Sequence, residues 1–167
     1  DPVLHAAAVL GEGFDVDALE TVLAAVGSAV APADLDDALD TLIEARVLVE
    51  PPGEGQDRLG WEHPLLRSTV LEKVRRSRRQ RRLCGAAAQA LLAGGATSSR
   101  AVVELLLLAG ERSEAAPLAA DAGEEALAAG ELSEALRLFD VGTGAPSASD
   151  RGRAWWGLGT ARNHLGQ

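Results

Sequence analysis

The densest chemistry in the chain is a basic run. Lys73, Arg75, Arg76, Arg78, Arg79, Arg81 and Arg82 fall within ten positions and supply seven of the sixteen lysines and arginines. Such a cluster can neutralise phosphate groups. Reading bases as well takes Asn, Gln or aromatic side chains interleaved with the cations, and none flank this run in a pattern for reading bases. The plainer reading is a solvated helix face opposite acidic groups. Three histidines, His5, His63 and His164, lie too far apart to form the paired spacing of a helical metal site. His63 follows Trp61-Glu62 and precedes Pro64, at a junction where it either serves the fold or meets a ligand. Cys84 stands alone among alanines, with arginines nearby that would lower a thiol pKa. A core position is the simpler account of it.

Catalytic motifs are missing. A phosphate-binding P-loop needs G-x-x-x-x-G-K-[ST], and Lys73, the sole lysine, has no such context. Gly142-Thr143-Gly144 is an isolated G-x-G with no strand before it. Neither a G-x-S-x-G elbow nor an H-E-x-x-H pair occurs. The acidic residues are scattered along helix surfaces. The expectation is a chain with no enzymatic activity, no catalytic residue, no bound metal and no cofactor of its own.

What must position these groups follows from composition. Of 167 residues, 47% are hydrophobic but only 3% aromatic, so the core is built from Leu, Val and Ala. That favours packed helices over sheet. The net charge of -9 and pI near 4.8 argue against a domain that binds nucleic acid over its whole surface. One cysteine forms no intrachain disulfide and fits a reducing cytoplasm. No apolar run reaches the roughly 18 residues of a membrane span. Both ends fall in or just after helical patterns, so the chain reads as an internal piece of a longer protein.

Helical spacing predicts helices over 2–10, 16–26 and 32–45, with Pro2 and Pro32 in first turns, Asp15 as a cap and Gly11, Gly13 and Gly27 as stops. The period then changes. Val47–Glu50 and Arg58–Glu62 read as two short strands about the turn signal Pro51-Pro52-Gly53-Glu54-Gly55. A helix follows over 64–74, and a longer one over 77–93 that carries most of the arginines, with Ser77 as a possible cap. Three helices before a β-hairpin is the order of a winged-helix module, placed at 1–93.

From 94 to 167 the pattern is helices between glycine turns, over 98–109, 113–129, 131–141 and 150–165. Gly110-Glu111-Arg112-Ser113-Glu114-Ala115 recurs as Gly130-Glu131-Leu132-Ser133-Glu134-Ala135, with glycine ending one helix and Ser113 or Ser133 capping the next. Trp155, Leu158, Gly159 and Gly166 match part of a tetratricopeptide signature, and Gly123 and Gly130 precede the two glycines by one interval. In the earlier copy Phe139 is expected to fill the gap between neighbouring helices. The fold class expected is mainly α: a winged-helix-like module with a small β-hairpin, then a tetratricopeptide-like α-solenoid.

Several of these segments resemble one family. Ala6-Ala7-Ala8-Val9-Leu10-Gly11-Glu12-Gly13-Phe14 looks like the opening of the domain that follows the nucleotide-binding core in large ATP-binding LuxR-type regulators. These are STAND proteins similar to the maltose regulator. Leu39–Leu48 is similar to their helix entering the wing, and Trp61-Glu62-His63-Pro64-Leu65-Leu66-Arg67 to their F-x-H-x-L-x-R segment. Arg78–Leu91 resembles their arginine-rich helix, while Leu107–Gly110 and Ala119–Ala129 resemble their first repeats. The likeness spans about residues 3–140. Trp61 stands where the family has Phe, and Cys84 where it often has His.

The resemblance implies a non-catalytic regulatory and sensor segment of a signal-responsive transcriptional regulator. His63 would sense the nucleotide, ATP or ADP, bound by the adjoining domain of the same chain. The repeats would take an inducer or protein partner, and DNA would be met by a separate C-terminal helix-turn-helix. The alternatives are a docking or oligomerisation solenoid, and direct DNA or partner contact through a basic helix carrying Arg75, Arg76, Arg78, Arg79, Arg81 and Arg82.

Overall fold

The computed structural model describes residues 2–28, 30–51, 57–75, 79–95 and 98–164. The fold is mainly α with a small three-stranded antiparallel sheet. The chain divides into two compact units between Gly94 and Gly95.

In the first unit, α1 (Pro2–Leu10) is the central element. Ala6, Ala7 and Ala8 are fully buried, and Val3, Val9 and Leu10 nearly so. A helix apolar on all sides has to be surrounded, and α1 packs on α2 (Val16–Ala25), α4 (Pro64–Arg75) and α5 (Gln80–Ala93). Three consecutive alanines let these neighbours approach closely. Gly11, at φ +136, then turns the chain out of the helix into a region that favours glycine.

That turn leads into β1 (Gly13–Asp15), a strand the sequence reading did not anticipate. It pairs with β3 (Arg58–Trp61), which also pairs with β2 (Leu48–Val49), giving the order β1-β3-β2. The hairpin strands are thus present, shorter than expected, and the turn residues 52–56 lie outside the described residues. Registers Phe14↔Leu59 and Leu48↔Trp61 put four buried apolar side chains on one face. Asp15 sits at the cap of α2 with an extended backbone, as the last residue of β1, and makes no side-chain cap bond.

α3 (Pro32–Glu44) opens with Pro32 at its first position and buries Leu35, Leu39 and Leu42. It closes with Val47 N–H donating to Leu42 O at 2.9 Å and Arg46 N–H to Ile43 O at 2.9 Å. This paired closure needs a left-handed residue, and Arg46 takes it, at φ 54, without being glycine.

The second unit begins at α6 (Ser99–Ala109), whose Ser98 hydroxyl accepts from Ala101 N–H. Gly110 at φ +88 and Gly130 at φ +77 end their helices in the left-handed region, in the same way in both copies of the repeat. Two details depart from the expected pattern. Ser113 and Ser133 do not cap: the helices α7 (Arg112–Ala115) and α9 (Leu132–Gly142) begin earlier, with Glu111 and Glu131 at the cap positions. The helix expected over 113–129 is also not one α-helix. Pro117 lacks the N–H an α-turn requires, and the chain tightens to 3-10 over Ala116–Leu118 before α8 (Ala119–Ala128).

α8, α9 and the last helix, α10 (Ala148–His164), pack on one another, and α6 packs on α8. Their shared centre is the ring of Phe139, wholly buried. A Cβ placed on Gly123 would lie 2.6 Å from that ring, and one on Gly157 would overlap it as well. The aromatic is therefore seated against two glycines, Gly123 of α8 and Gly157 of α10.

The rims are tied by ion pairs. Arg100 meets Glu131, Arg112 meets Asp140, Arg137 meets Glu104 and Glu134, and Arg153 meets Asp121 and Glu124. The Glu125 carboxylate on α8 receives Ser99 N–H at 2.8 Å and the Ser98 hydroxyl at 2.9 Å. It places a negative charge at the positive end of α6.

Candidate functional site

His63 lies in the bend between β3 and α4, its side chain exposed. The segment around it is held at both ends. On one side the Trp61 indole N–H donates to Gly11 O at 3.1 Å, and Trp61 N–H to Glu12 O at 3.3 Å. On the other, Arg67 Nε–H donates to Ala8 O at 3.1 Å, in the last turn of α1. A cation at a helix C-terminus satisfies an orphan carbonyl and suits the dipole. Partial burial pulls the Arg67 guanidinium below its ordinary value, opposed by the Glu12 carboxylate. His63 O in turn accepts from Leu66 N–H at 3.0 Å, which starts α4. Two anchors on the end of α1 thus hold a short bridge that presents the imidazole outward, beside the exposed Leu65.

Neither anchor is legible as such in the sequence. Trp61 and Arg67 stand out there as motif letters. Their acceptors, Gly11 and Ala8, are backbone carbonyls of residues 50 and 59 positions earlier. The only local signal is the Gly11-x-Gly13 pair, which marks a special turn but names no partner.

The basic run does not form one helix face. Lys73 and Arg75 lie in the last turn of α4, where cations complement the dipole. Arg79 is the cap residue of α5, and Arg81 and Arg82 lie in its first turn, all three exposed. Arg76 and Arg78, with the expected cap Ser77, lie outside the described residues. The single basic helix expected over 75–82 is therefore corrected to the end of one helix and the start of another. The first turn of α5 carries no acidic residue, so its arginines face the positive end of their own helix. His5, on α1, is held below its ordinary value by burial and by positive neighbours including Lys73 and Arg79. It shares a small crevice with Arg79, Ser28 and Leu83.

Cys84 is buried on α5. Burial pushes its thiol up to about 11, and the opposing pull of Arg75 is smaller. A protonated, enclosed thiol is a poor nucleophile, which suits the core reading. Between α2 and α3 runs a groove of about 180 Å³ lined by Leu23, Ala24, Val30, Pro32 and Leu35, with Glu20 as its charged member. It is smaller than the ~300–1,000 Å³ typical of ligand pockets. Among the described residues, no three His, Cys, Asp or Glu side chains gather as metal ligands. No helix among them is long and apolar enough to cross a membrane.

Comparison with protein-family models, curated proteins and solved structures yields no match.

Proposed function

We propose that the chain is a non-catalytic regulatory segment of a signal-responsive, ATP-dependent transcriptional regulator of the LuxR/STAND kind, working in the cytoplasm. The observation that carries this reading is the presentation of His63. Trp61 and Arg67 spend two side-chain hydrogen bonds on fixing the bridge between β3 and α4, yet the imidazole itself is left outside. A histidine so placed suits contact with something beyond its own unit. In this reading that is the nucleotide held by an adjoining domain of the same polypeptide.

The element order supports the winged-helix-like part of the reading. Two strands follow the third helix, and β1, after the first helix, completes the sheet with β3 at its centre. Exposed Arg79, Arg81 and Arg82 would face a phosphate or an acidic partner surface. In the second unit, helices with matched left-handed glycine ends at 110 and 130 support a tetratricopeptide-like stack that takes an inducer or protein partner.

The test is nucleotide exchange in the native polypeptide that contains this segment. His63→Ala is expected to weaken ADP retention on the order of tenfold, the loss of one charge-assisted hydrogen bond, with the circular dichroism unchanged. Equal retention of ADP and ATP by the native and His63→Ala proteins rejects the sensing role. Absence of nucleotide binding from the native polypeptide rejects the family reading itself.

A further inference from the structure

We propose that the groove between α2 and α3 is a docking site for a cationic peptide segment, which seats one large apolar side chain in it. This inference does not depend on the regulatory reading.

The groove follows from how the two helices are held. α2 packs on α1 and α5, whereas α3 makes its close backbone approaches to β2. The two helices therefore part along a gap of about 180 Å³. Its floor is Leu23 and Leu35, both buried, and its rim includes Ala24 and Pro32, both exposed. An apolar cavity of ~150 Å³ takes a benzene ring. The space suits one aromatic or leucine-sized side chain, and it is too small for an organic ligand of ordinary size.

Charge selects what carries that side chain. From Pro2 to Ala45 the sequence has nine Asp or Glu and no Lys or Arg. Glu20 stands in the groove itself. On α3, Asp36, Asp40 and Glu44 follow one another at intervals of four, all exposed. The helix does not call for such a row. Like charges four apart destabilise it, and Glu44 in its last turn opposes the dipole. The chain does not neutralise the row either. Among the described residues, none of these four carboxylates has an ion pair, whereas Arg100, Arg112, Arg137 and Arg153 are all paired within the second unit.

A groove apolar within and negative around repels phosphates, and with them nucleic acid and anionic lipid surfaces. It attracts Lys and Arg. A peptide segment with one apolar anchor between cations answers both features. The anchor leaves water in the groove, and the flanking cations stand over the carboxylates.

Fluorescence anisotropy of the 167-residue chain with a short labelled peptide of Ala and Arg bearing one central Phe tests the proposal. At about 50 mM salt, binding is expected with a Kd of roughly tens to hundreds of micromolar. Ser in place of the peptide's Phe should weaken it about 10–100-fold, because that apolar surface no longer leaves water. Glu in place of Arg should abolish it.

Two variants of the chain locate the site. Ala24→Trp fills the groove without changing charge and should reduce the Phe peptide to the affinity of the Ser peptide. Glu20→Lys should weaken it several-fold. Glu50→Lys makes the same change in net charge outside the groove lining and should leave binding nearly unchanged, since distant charges are screened. Circular dichroism checks that each variant is folded. Equal affinity for the Phe and Ser peptides would leave only general charge attraction and overturn the proposal. So would a Phe peptide unbound at about millimolar chain, or equal weakening by Glu20→Lys and Glu50→Lys.

Discussion

Trp61 donates its indole N–H to the carbonyl oxygen of Gly11 across 3.1 Å, tying the end of β3 to the turn that leaves α1. The same ring is buried on the apolar face of the sheet, opposite Leu48. Trp61→Phe keeps an aromatic in that place and removes the donor. The expected cost is about 1–3 kcal/mol, the penalty of a partly buried carbonyl left without its partner. Urea denaturation followed by circular dichroism measures it, and an unchanged midpoint would show that Gly11 O finds water instead.

The same change at two glycines of α10 should have opposite signs. Gly157→Ala drives a methyl into the Phe139 ring and is expected to destabilise the second unit by about 1–3 kcal/mol, the usual cost of overpacking. Gly159→Ala meets open space and is expected to stabilise by about 0.5–1 kcal/mol through helix propensity. Both are read by thermal unfolding. Equal effects would mean that Phe139 does not sit where the two glycines hold it.

Glu125→Ala leaves the first amides of α6 without their carboxylate. The expected loss is about 1–2 kcal/mol, as for a lost helix cap, and Glu125→Gln, which keeps one oxygen acceptor, should lose less. Comparing the two in urea separates the acceptor from the charge.

Stability should fall at alkaline pH because of one thiol. Cys84 releases its proton at about 11 in the folded chain, against roughly 8.5 when unfolded. Below the lower value both states hold the proton and stability is flat. Between the two the unfolded state has lost a proton that the folded state retains, so unfolding is favoured as pH rises. The chain has no tyrosine and only Lys73 as lysine, so little else titrates in that window. Cys84→Ala should flatten the profile between about pH 9 and 11. A slope that survives the substitution would assign it to another group.

Duplex DNA should not be retained by the chain at about 50 mM salt. The net charge is -9, and the described arginines of the run are split between two helices. A mobility shift that disappears in Arg79→Ala/Arg81→Ala/Arg82→Ala would reverse this expectation and favour phosphate contact at the α4–α5 junction.

What the sequence discloses is what is decided locally. Pro2 and Pro32 mark first turns because a missing N–H is harmless there. Gly110 and Gly130 mark ends because a left-handed residue is needed. β1 escaped because three residues carry no periodicity, and Phe14 becomes a strand residue only when Leu59 arrives from far along the chain. The break within the arginine run was legible, since helices expected over 64–74 and 77–93 already part it; charge density alone did not place its edges, which fall at Arg75 and Gln80. The tetratricopeptide spacing singles out Gly123 and Phe139, and the two do meet. The contact of Gly157 with the same ring crosses to α10 and has no counterpart in the spacing. His63 was legible as a candidate, whereas its two anchors were not, since backbone acceptors leave no signature in residue type.

The seating of Phe139 has a mechanical corollary. Alanine-lined seams are smooth, and helices joined by them could slide with little resistance if small residues were all that met. Here one benzene ring is pinned from both sides like an axle in two bushings, so any axial movement of α10 is delivered to α8 through it. The ring shares that linkage with Arg153, whose ion pairs to Asp121 and Glu124 join the same two helices at the rim.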